Sequence, residues 1–474
     1  MKIRAAPKEK QGLPDLLHWR QSQGDTGGID AMDNTDASTA LMRTSFERDH
    51  KPADLLALLD KPVGAPNDTR EEDPQSRRVG RMAYSELPRL CDKKTILSDE
   101  TLGAVSRFEI SAARCDCLVG SSPFGGALSR AMARLDGMFI ARLNGLETDY
   151  RTCCCLAFFA DAANEGSVRA ADWAAMEGTV VVASCDEGHV QAARCAHQME
   201  ILLHNMANGE IQGGRLTPEG IVRLHDCIGK VFHPQRASGL RVWDYPQENQ
   251  GADVYSPPAA SQLPTLLQDL ADFANDSPLG PTVKSALIHY QLEASRMFAE
   301  DVDQLARTIL VYLWKRDRLI ERIMPPISIT PAIARDCHAR VLKPYERGRR
   351  CEMLMVDDWV FHAANASQNA FDLEMDVYRR AEATVARWEA QLAQAGMRIT
   401  QPVRQYLVEL FGMPVFSISL MAGLIGASFS ATSRITEGLA EQGIVRQLNE
   451  GRRNRVYECP KTIEVIEQEC RRRG

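Results

Sequence analysis

The chain has 474 residues, of which 44% are hydrophobic, 25% charged and 6% aromatic. This length suits roughly two to four domains of about 100–200 residues each. The apolar fraction is that of an ordinary globular protein, which excludes a collagen-like, wholly disordered or coiled-coil chain. With 56 Lys and Arg against 63 Asp and Glu, the net charge is −7. A protein coated uniformly in basic charge is therefore excluded, whereas a single basic domain is not.

The sequence shows no pattern for membrane insertion or secretion. No stretch approaches the roughly 20 apolar residues that a membrane helix requires. The N-terminal residues MKIRAAPKEKQG lack the apolar core of a signal peptide. The 13 cysteines are scattered and include no CxxC pair with zinc spacing. We therefore expect a cytoplasmic protein with reduced thiols, no membrane partner and no metal site.

The composition changes near residue 85. Residues 1–85 are rich in Gly, Asp, Asn, Ser, Thr and Pro and contain one short helical pattern at Asp54–Leu59. We predict a mostly disordered leader there. From residue 86 onward, apolar residues recur at i, i+3, i+4 and i+7, which indicates amphipathic helices. The predicted helices are Ala127–Leu143, Ala192–Met206, Thr217–Phe232, Leu263–Asn275, two within Pro281–Arg318, and Val356–Ala395.

Strand patterns are few. Thr179–Ala183, Leu240–Trp243 and Gly443–Glu458 are the segments that alternate or carry β-branched residues. The predicted fold is therefore mainly α, with a disordered leader, a helical domain at 86–395 and a separate module at 396–474.

Residues 396–474 carry the clearest functional pattern. A helix that ends near Gly412 is followed by a short extended segment, a second helix that stops at Gly426, and a third that begins at Ser428. Two strand-like segments with a basic turn between them come next. This order is typical of a winged helix-turn-helix. The final arginines, 471–473, are interpreted as a frayed basic tail.

The third helix and the wing suggest DNA as a partner. Residues 396–474 hold 11 basic and 8 acidic residues, a net of 11 − 8 = +3. Short polar side chains and an arginine in the first turns of a helix suit the major groove, and arginines of a wing suit phosphates. Because Glu437 and Glu441 lie on the same helix, a winged helix used only for protein contacts is the alternative. The candidate DNA-binding residues are Ser428, Ser430, Thr432, Ser433, Arg434, Arg452, Arg453 and Arg455.

A series of landmarks follows along residues 160–395, with one more in the C-terminal module. The segments are Arg215–His225, Ser238–Arg241, Tyr255–Pro258, Leu263–Phe273, Ser285–Glu293, Pro325–Thr330 and Trp359, with a wing at Arg453–Val456. In their order, these landmarks resemble the Fic (filamentation induced by cAMP) fold. They match a helix, a Gly-x-[aromatic]-Arg turn, a substrate-binding flap and the helices that lead into the active loop. The layout is also similar to that of a group of rhizobial plasmid-encoded proteins.

The active loop departs from the Fic pattern H-P-F-x-[DE]-G-N-G-R-x-x-R. Arg296 stands in place of the general base, and an arginine cannot accept the proton because it stays charged. The glycines whose backbone N–H groups surround a diphosphate are replaced by Asp301 and Asp303, which bring two negative charges. We therefore expect a degenerate loop, with Arg296, Phe298, Glu300, Val302, Gln304 and Arg307 at the motif positions.

Other side chains of the helical domain are expected to have structural roles. We expect Phe298 to be a core aromatic, Glu300 a solvated carboxylate in preference to a metal ligand, and Arg307 a member of a structural ion pair. The histidines His225, His233 and His289 are interpreted as packing or surface residues.

The sequence favours one function and leaves two alternatives. We expect a DNA-binding regulatory protein whose Fic-like domain is catalytically inactive and binds a protein partner or forms a homodimer. This hypothesis includes no catalytic residue, no cofactor and no metal. One alternative is a nucleotidyl (AMP) transferase with altered chemistry, for which Glu300 or His289 would have to act as the base. The other alternative is a nonfunctional relic of a mobile element.

Overall fold

The structure is a computed structural model, and it describes a defined part of the chain. The predicted leader, its helix at Asp54–Leu59 and the predicted strand Thr179–Ala183 lie outside the described residues. The described ranges are 89–92, 95–164, 187–208, 214–232, 239–244, 257–342, 352–449 and 454–473.

Helices form most of the described part, and the predicted mainly α fold is confirmed. A short 3₁₀ turn at Ala260–Gln262 precedes the sixth helix. The helices up to residue 394 are α1 (Asp99–Gly120), α2 (Gly125–Leu143), α3 (Tyr150–Asn164), α4 (Glu187–Asn208), α5 (Pro218–Phe232), α6 (Leu263–Asp276), α7 (Pro281–Ser295), α8 (Val302–Arg316), α9 (Ile329–Ile333), α10 (Arg335–Leu342) and α11 (Glu352–Gln394).

The helices that periodicity predicts within the described ranges are present, and their ends are displaced by five residues at most. The predicted strand Leu240–Trp243 is wrong. The backbone N–H of Arg241 donates to the carbonyl of Met297 at 3.0 Å, and the segment forms no strand ladder. The sequence analysis missed α1, α3, α9 and α10, and residues 152–159 of α3 are buried all round. A helix buried on every side has no polar face and hence no period to detect.

The long helix α11 organises the body. It has 43 residues and packs along α1, and it also contacts α7 and α9. Phe371 of α11 lies 5.4 Å from the ring of Phe108 on α1, edge to face, and Trp314 of α8 lies 5.0 Å from Phe108. Such aromatic pairs bury a large apolar area and prefer tilted or edge-to-face geometry. The three helices are thereby held around one buried aromatic cluster.

The helices α2 and α4 approach each other closely at a glycine. A Cβ atom on Gly137 of α2 would lie 2.2 Å from the carbonyl oxygen of Ala196 on α4. Real Cβ atoms do not tolerate such a contact with backbone, so only glycine fits this position. Close to it, the buried Arg134 of α2 donates from Nε and Nη2 to the carboxylate of Glu200 on α4, at 3.1 and 2.9 Å.

The C-terminal part begins after a turn at residues 395–400. Its elements are α12 (Gln401–Gly412), β1 (Val415–Ser417), α13 (Ile418–Ile425), α14 (Phe429–Glu441), β2 (Arg446–Gln447), β3 (Val456–Glu458) and α15 (Pro460–Arg473).

The three strands form one antiparallel sheet in the order β1–β3–β2. Phe416 of β1 pairs with Tyr457 of β3, and Arg446 of β2 pairs with Glu458 of β3. The helix α13 ends at Gly426, which adopts a left-handed conformation (φ 62°) that favours glycine. The N-cap of α14 is Ser428, whose hydroxyl accepts a hydrogen bond from the N–H of Ala431.

The final arginines do not form a frayed tail, so that prediction is wrong. Residues 460–473 form the helix α15, which packs on α11. Arg473 donates to Asp376 of α11 at 2.6 Å, and Arg380 of α11 pairs with the buried Glu469. The alternation of Ile463, Val465 and Ile466 with charged residues places one apolar face against the body.

No single helix in the described ranges is long and apolar enough to cross a membrane. The consecutive helices α13 and α14 reach the required length and composition only together, and the chain bends by 111° between them.

The approach of α2 to α4 yields a test of the packing. We expect Gly137→Ala to lower the free energy of unfolding by about 1–3 kcal/mol, because the new methyl group overlaps the backbone of α4. Gly126→Ala is the matched control on the same helix, since its Cβ would meet only the end of the Arg130 side chain at 3.8 Å. Urea unfolding of both variants provides the measurement, and equal stability of the two would contradict the close approach.

Candidate functional site

The loop whose sequence resembles the Fic motif connects α7 to α8. Arg296 caps the end of α7 in a left-handed conformation (φ 44°), and Asp301 precedes α8 in another (φ 59°). Non-glycine residues rarely adopt this conformation, so surrounding contacts must hold the loop in place. Val302 is the first residue of α8, and Gln304 is buried in its first turn.

Arg241 supplies those contacts. Its side chain is buried, and Nε donates to the carbonyl of Arg296 at 2.8 Å. Its other nitrogens donate to the carbonyls of Trp243, at 2.8 Å, and of Pro258. A charged guanidinium that binds several carbonyls fixes the backbone segments that carry them. The arginine of the predicted Gly-x-[aromatic]-Arg turn therefore has a structural role at this loop.

The middle of the loop packs on α5. Phe298 is 1% exposed, and its ring stacks on the imidazole of His225 with centroids 4.1 Å apart. His225 Nε2 lies 2.9 Å from the carbonyl oxygen of Glu300, to which it can donate. Glu300 itself is exposed. The imidazole of His225 thus serves to position the loop backbone.

Asp303 lies between a histidine and an arginine. Its Oδ1 is 2.9 Å from Nε2 of His289 on α7, and its Oδ2 accepts a hydrogen bond from Arg307 one turn later on α8. Burial opposes ionisation of Asp303, but the charge of Arg307 and the hydrogen bond from His289 hold the pKa of its carboxyl well below the usual range. Arg307 is 4% exposed, and its Nε and Nη2 have no hydrogen-bond partner.

Two histidines that the sequence analysis did not single out complete this cluster. His338 of α10 has its Nε2 4.0 Å from Oδ1 of Asp303, and its Nδ1 lies 3.1 Å from Nε2 of His362 on α11. Burial lowers the pKa of His338 to about 3 and that of His362 to about 4. Both imidazoles are therefore neutral near pH 7.

Trp359 closes the cluster on one side. Its ring lies edge-on to His289 at 5.0 Å and to His338 at 5.4 Å, and its indole N–H donates to the carbonyl of Ala286 at 2.8 Å. Trp359 was identified in the sequence only as a Fic landmark. No local motif joins His289, Asp303, His338 and His362, because four separate helices contribute them.

Nucleotidyl transfer at this loop would require an accessible base and a site for the phosphates. The backbone of Arg296 caps a helix, and its side chain cannot act as a base. Carboxylates at Asp301 and Asp303 occupy the start of α8, where the amides of a helix N-terminus would otherwise favour a phosphate. The side chain of His289 is 3% exposed, and its Nε2 lies 2.9 Å from Oδ1 of Asp303. Within the described residues, Glu300 is an exposed carboxylate of this loop, whereas His289 is buried and Arg296 stays charged.

The predicted DNA-binding residues lie in different environments. Ser430 and Arg434 are exposed on the first turns of α14, next to Phe429, which is 57% exposed. Ser433 is partly buried, and its hydroxyl bonds to Glu437 at 3.0 Å. Ser428 is exposed but uses its hydroxyl as the N-cap.

Thr432 departs from its predicted role. It is fully buried, and its hydroxyl donates to the carbonyl of Ser428 at 3.0 Å. Position 432 lies one turn after the N-cap on the face that packs inward, beside the inward Ile435 and Thr436. Its side chain is therefore not available at the surface.

The wing arginines are only partly described. Arg452 and Arg453 lie outside the described residues. Arg455 packs over the ring of Tyr457 at 5.8 Å and lies 3.8 Å from the carboxylate of Glu437. Arg446 of β2 is bound to the buried Glu458 at 2.6 and 2.8 Å. Part of the positive charge counted in the sequence is therefore paired within the protein.

Comparisons with known proteins give weak similarities. No family model matches the chain, and no curated protein matches it. Among solved structures, a Fic family protein from Desulfovibrio desulfuricans G20 is similar at 14% identity and a TM-score of 0.41, over 77% of this chain and 98% of that one. Part of Fic-1 from C. elegans is similar at 14% identity and a TM-score of 0.29, over 68% of this chain and 98% of that one. These values assign the chain to no family.

The Asp303–Arg307 pair yields a test of the cluster. We expect Asp303→Asn to lower the free energy of unfolding by about 3–5 kcal/mol, because it removes the carboxylate that is hydrogen-bonded to the buried guanidinium of Arg307. Adding Arg307→Met should recover part of the loss, which a double-mutant cycle in urea measures.

The matched control is Asp276→Asn. Asp276 makes two hydrogen bonds to Arg215 at 2.8 and 2.9 Å, but both side chains are more than half exposed. Solvent screens such a pair, so its loss should change stability little. A similar cost at both sites would contradict a buried ion pair at Asp303.

Proposed function

We propose that this protein is a regulatory protein that binds duplex DNA through residues 396–474. The observation that carries the proposal is the arrangement of α12, β1, α13, α14, β2 and β3, with a sheet in the order β1–β3–β2. This is the order of a winged helix-turn-helix. The bend of 111° between α13 and α14 falls in the range of about 90–120° for helix-turn-helix pairs.

In this proposal α14 is the helix that enters the major groove. Its first turns present Ser430 and Arg434 to solvent, whereas Ile435 and Leu439 face the core. Tyr406 of α12 anchors the inner face through a hydrogen bond of 2.7 Å to Thr436. An exposed N-terminal half on an anchored helix is the geometry with which recognition helices read bases. Arg434 is the residue best suited to a guanine edge.

The wing contributes phosphate contacts. Asn449 supports its base, because its side chain bonds both to the carbonyl of Asn454 and to the N–H of Val456, each at 2.9 Å. The sequence between these supports carries Arg452 and Arg453. Because Arg446 and Arg455 are paired with carboxylates, we assign most of the phosphate contact to the wing tip.

We further propose that the body does not transfer nucleotides. The support is Arg296 at the position of the general base and the carboxylates of Asp301 and Asp303 at the start of α8. A carboxylate near a helix N-terminus competes with a bound phosphate for the same positive potential. The body then acts as a scaffold that binds a protein partner or a second copy of this chain.

A second candidate function is a protein contact through the same surface. Phe429, at the start of α14, exposes 57% of its area. Exposed aromatics are enriched at protein interfaces. The DNA-binding experiment separates the two functions, since a surface used only for protein contacts retains no DNA.

DNA binding is tested with the full chain, a duplex selected from a random-sequence pool and a salt series. We expect the affinity to fall steeply with salt and to keep a sequence preference. Arg434→Ala should weaken the preferred duplex by about 1–3 kcal/mol, roughly 5- to 150-fold, and relax the preference. Arg453→Ala should weaken all duplexes alike and reduce the salt slope by about 1. Fluorescence anisotropy gives both quantities.

Arg379→Ala is the control for that experiment. Arg379 lies on α11, and its side chain is 67% exposed. Its substitution removes the same charge from a different surface. It should leave DNA binding unchanged. Absence of binding at low salt, or an equal loss in Arg379→Ala and Arg434→Ala, would overturn the proposal.

Nucleotide binding tests the inactive body separately. We expect ATP with Mg²⁺ to leave the melting temperature of the full chain unchanged, because a ligand raises it only by binding the folded state. A saturable rise that disappears in Arg307→Met would favour the transferase instead.

A further inference from the structure

The cluster between α7, α8 and α10 has the composition of a metal site. Nε2 of His289, Oδ1 of Asp303 and Nε2 of His338 all lie within 4.8 Å of one another. It is the only group of three such ligand atoms found within the described ranges. Two imidazoles and one carboxylate form a common ligand set for divalent transition metals.

We propose that His289, Asp303 and His338 bind a divalent transition-metal ion of the class of Zn²⁺, Co²⁺ or Ni²⁺. Imidazole nitrogen suits these ions, whereas Mg²⁺ and Ca²⁺ prefer all-oxygen ligand sets. The sequence analysis, by contrast, predicted no metal and interpreted His289 as a packing or surface residue.

The two distances from Asp303 to the histidines fit such an ion after small side-chain movements. A tetrahedral ion with bonds of about 2.0–2.2 Å holds its ligand atoms roughly 3.3–3.6 Å apart. The His289–Asp303 distance of 2.9 Å would open slightly, since a metal replaces the hydrogen bond. The His338–Asp303 distance of 4.0 Å would close by about half an ångström. Both changes are within the reach of small side-chain rotations.

His338 supplies the second, independent observation. The residue is 8% exposed, and its Nε2 is buried without a hydrogen-bond partner while lying on the Asp303 side of the ring. Its Nδ1 contacts Nε2 of His362 at 3.1 Å. If Nδ1–H donates to His362, the Nε2 lone pair is free and directed into the cluster. Metal-ligating histidines are oriented in this way by a partner on the other ring nitrogen.

Asp303 is oriented in a similar way. Arg307 holds its Oδ2, which leaves Oδ1 directed between the two histidines. The side chain of Asp303 is 29% exposed, compared with 3% for His289 and 10% for His338. An ion therefore reaches the cluster past Asp303. Three protein ligands leave at least one coordination position for water.

Cobalt titration of the full chain, stripped of metal with a chelator, tests the proposal. We expect one equivalent of Co²⁺ to produce visible absorption bands of a low-coordinate site and to quench Trp359, whose ring lies 5.0 and 5.4 Å from the two histidines. Zn²⁺ should displace Co²⁺, whereas Mg²⁺ should not.

Single substitutions test which residues bind the ion. His338→Gln should weaken Co²⁺ binding at least 100-fold, and His362→Gln should weaken it about 10- to 100-fold through the orientation of His338. Circular dichroism confirms that each variant is folded. The matched control is His189→Gln, because His189 pairs with Asp149 at 2.7 Å but belongs to no group of three ligands in the described ranges.

Two results would overturn the proposal. One is wild-type protein that shows no cobalt bands with a millimolar excess of the ion. The other is folded His338→Gln that binds Co²⁺ as tightly as the wild type and the His189→Gln control.

Discussion

One buried ion pair links α2 and α4 to the end of α12. Arg134 of α2 is 1% exposed and binds Glu200 of α4 with two nitrogens, while its third nitrogen donates to the carbonyl of Gly412 at 3.1 Å. Burial opposes the charge of Glu200, but the charge of Arg134 still keeps the pKa of that carboxyl low. Burial of a guanidinium costs less free energy when its donors are satisfied. The end of α12 must therefore meet α2 and α4 for the body to be stable.

This constraint places the C-terminal elements on the body. Gly412 also packs against Ala127 so closely that a Cβ atom would lie 2.8 Å from its Cα. Further on, the buried Glu458 of β3 accepts from Arg151 of α3 and from Arg446 of β2, which ties the sheet to the body. The sheet and α12 are thus fixed, and α14 is left with its N-terminal half exposed. The surface that we propose for DNA follows from which face the body covers.

The loop between α7 and α8 shows why sequence comparison reached only part of the site. The resemblance to the Fic motif implied that Asp301 and Asp303 stand at glycine positions and that Arg296 stands at the position of the general base. The partners of Asp303 were not visible in the sequence, because His289 lies 14 positions away and His338 lies 35 positions away along the chain. Residues at such separations meet only through helix packing, and a single sequence carries no record of that packing. The burial of Thr432 differs, because Thr432, Ile435, Thr436 and Leu439 follow helical spacing and share the inward face of α14.

The sequence alone determined that the fold is mainly helical, where the amphipathic helices lie and in which order the C-terminal helices and strands follow. Those features arise from local hydrophobic periodicity, caps such as Ser428 and turn glycines such as Gly426. Tertiary structure decided the rest. It brought His289, Asp303 and His338 together and paired Arg446 with Glu458. It also placed the basic C-terminal residues in the helix α15, which packs on α11. Burial is the physical reason. A charged or polar group that is removed from water costs free energy unless it is paired or hydrogen-bonded, and its partner can lie at any distance along the chain.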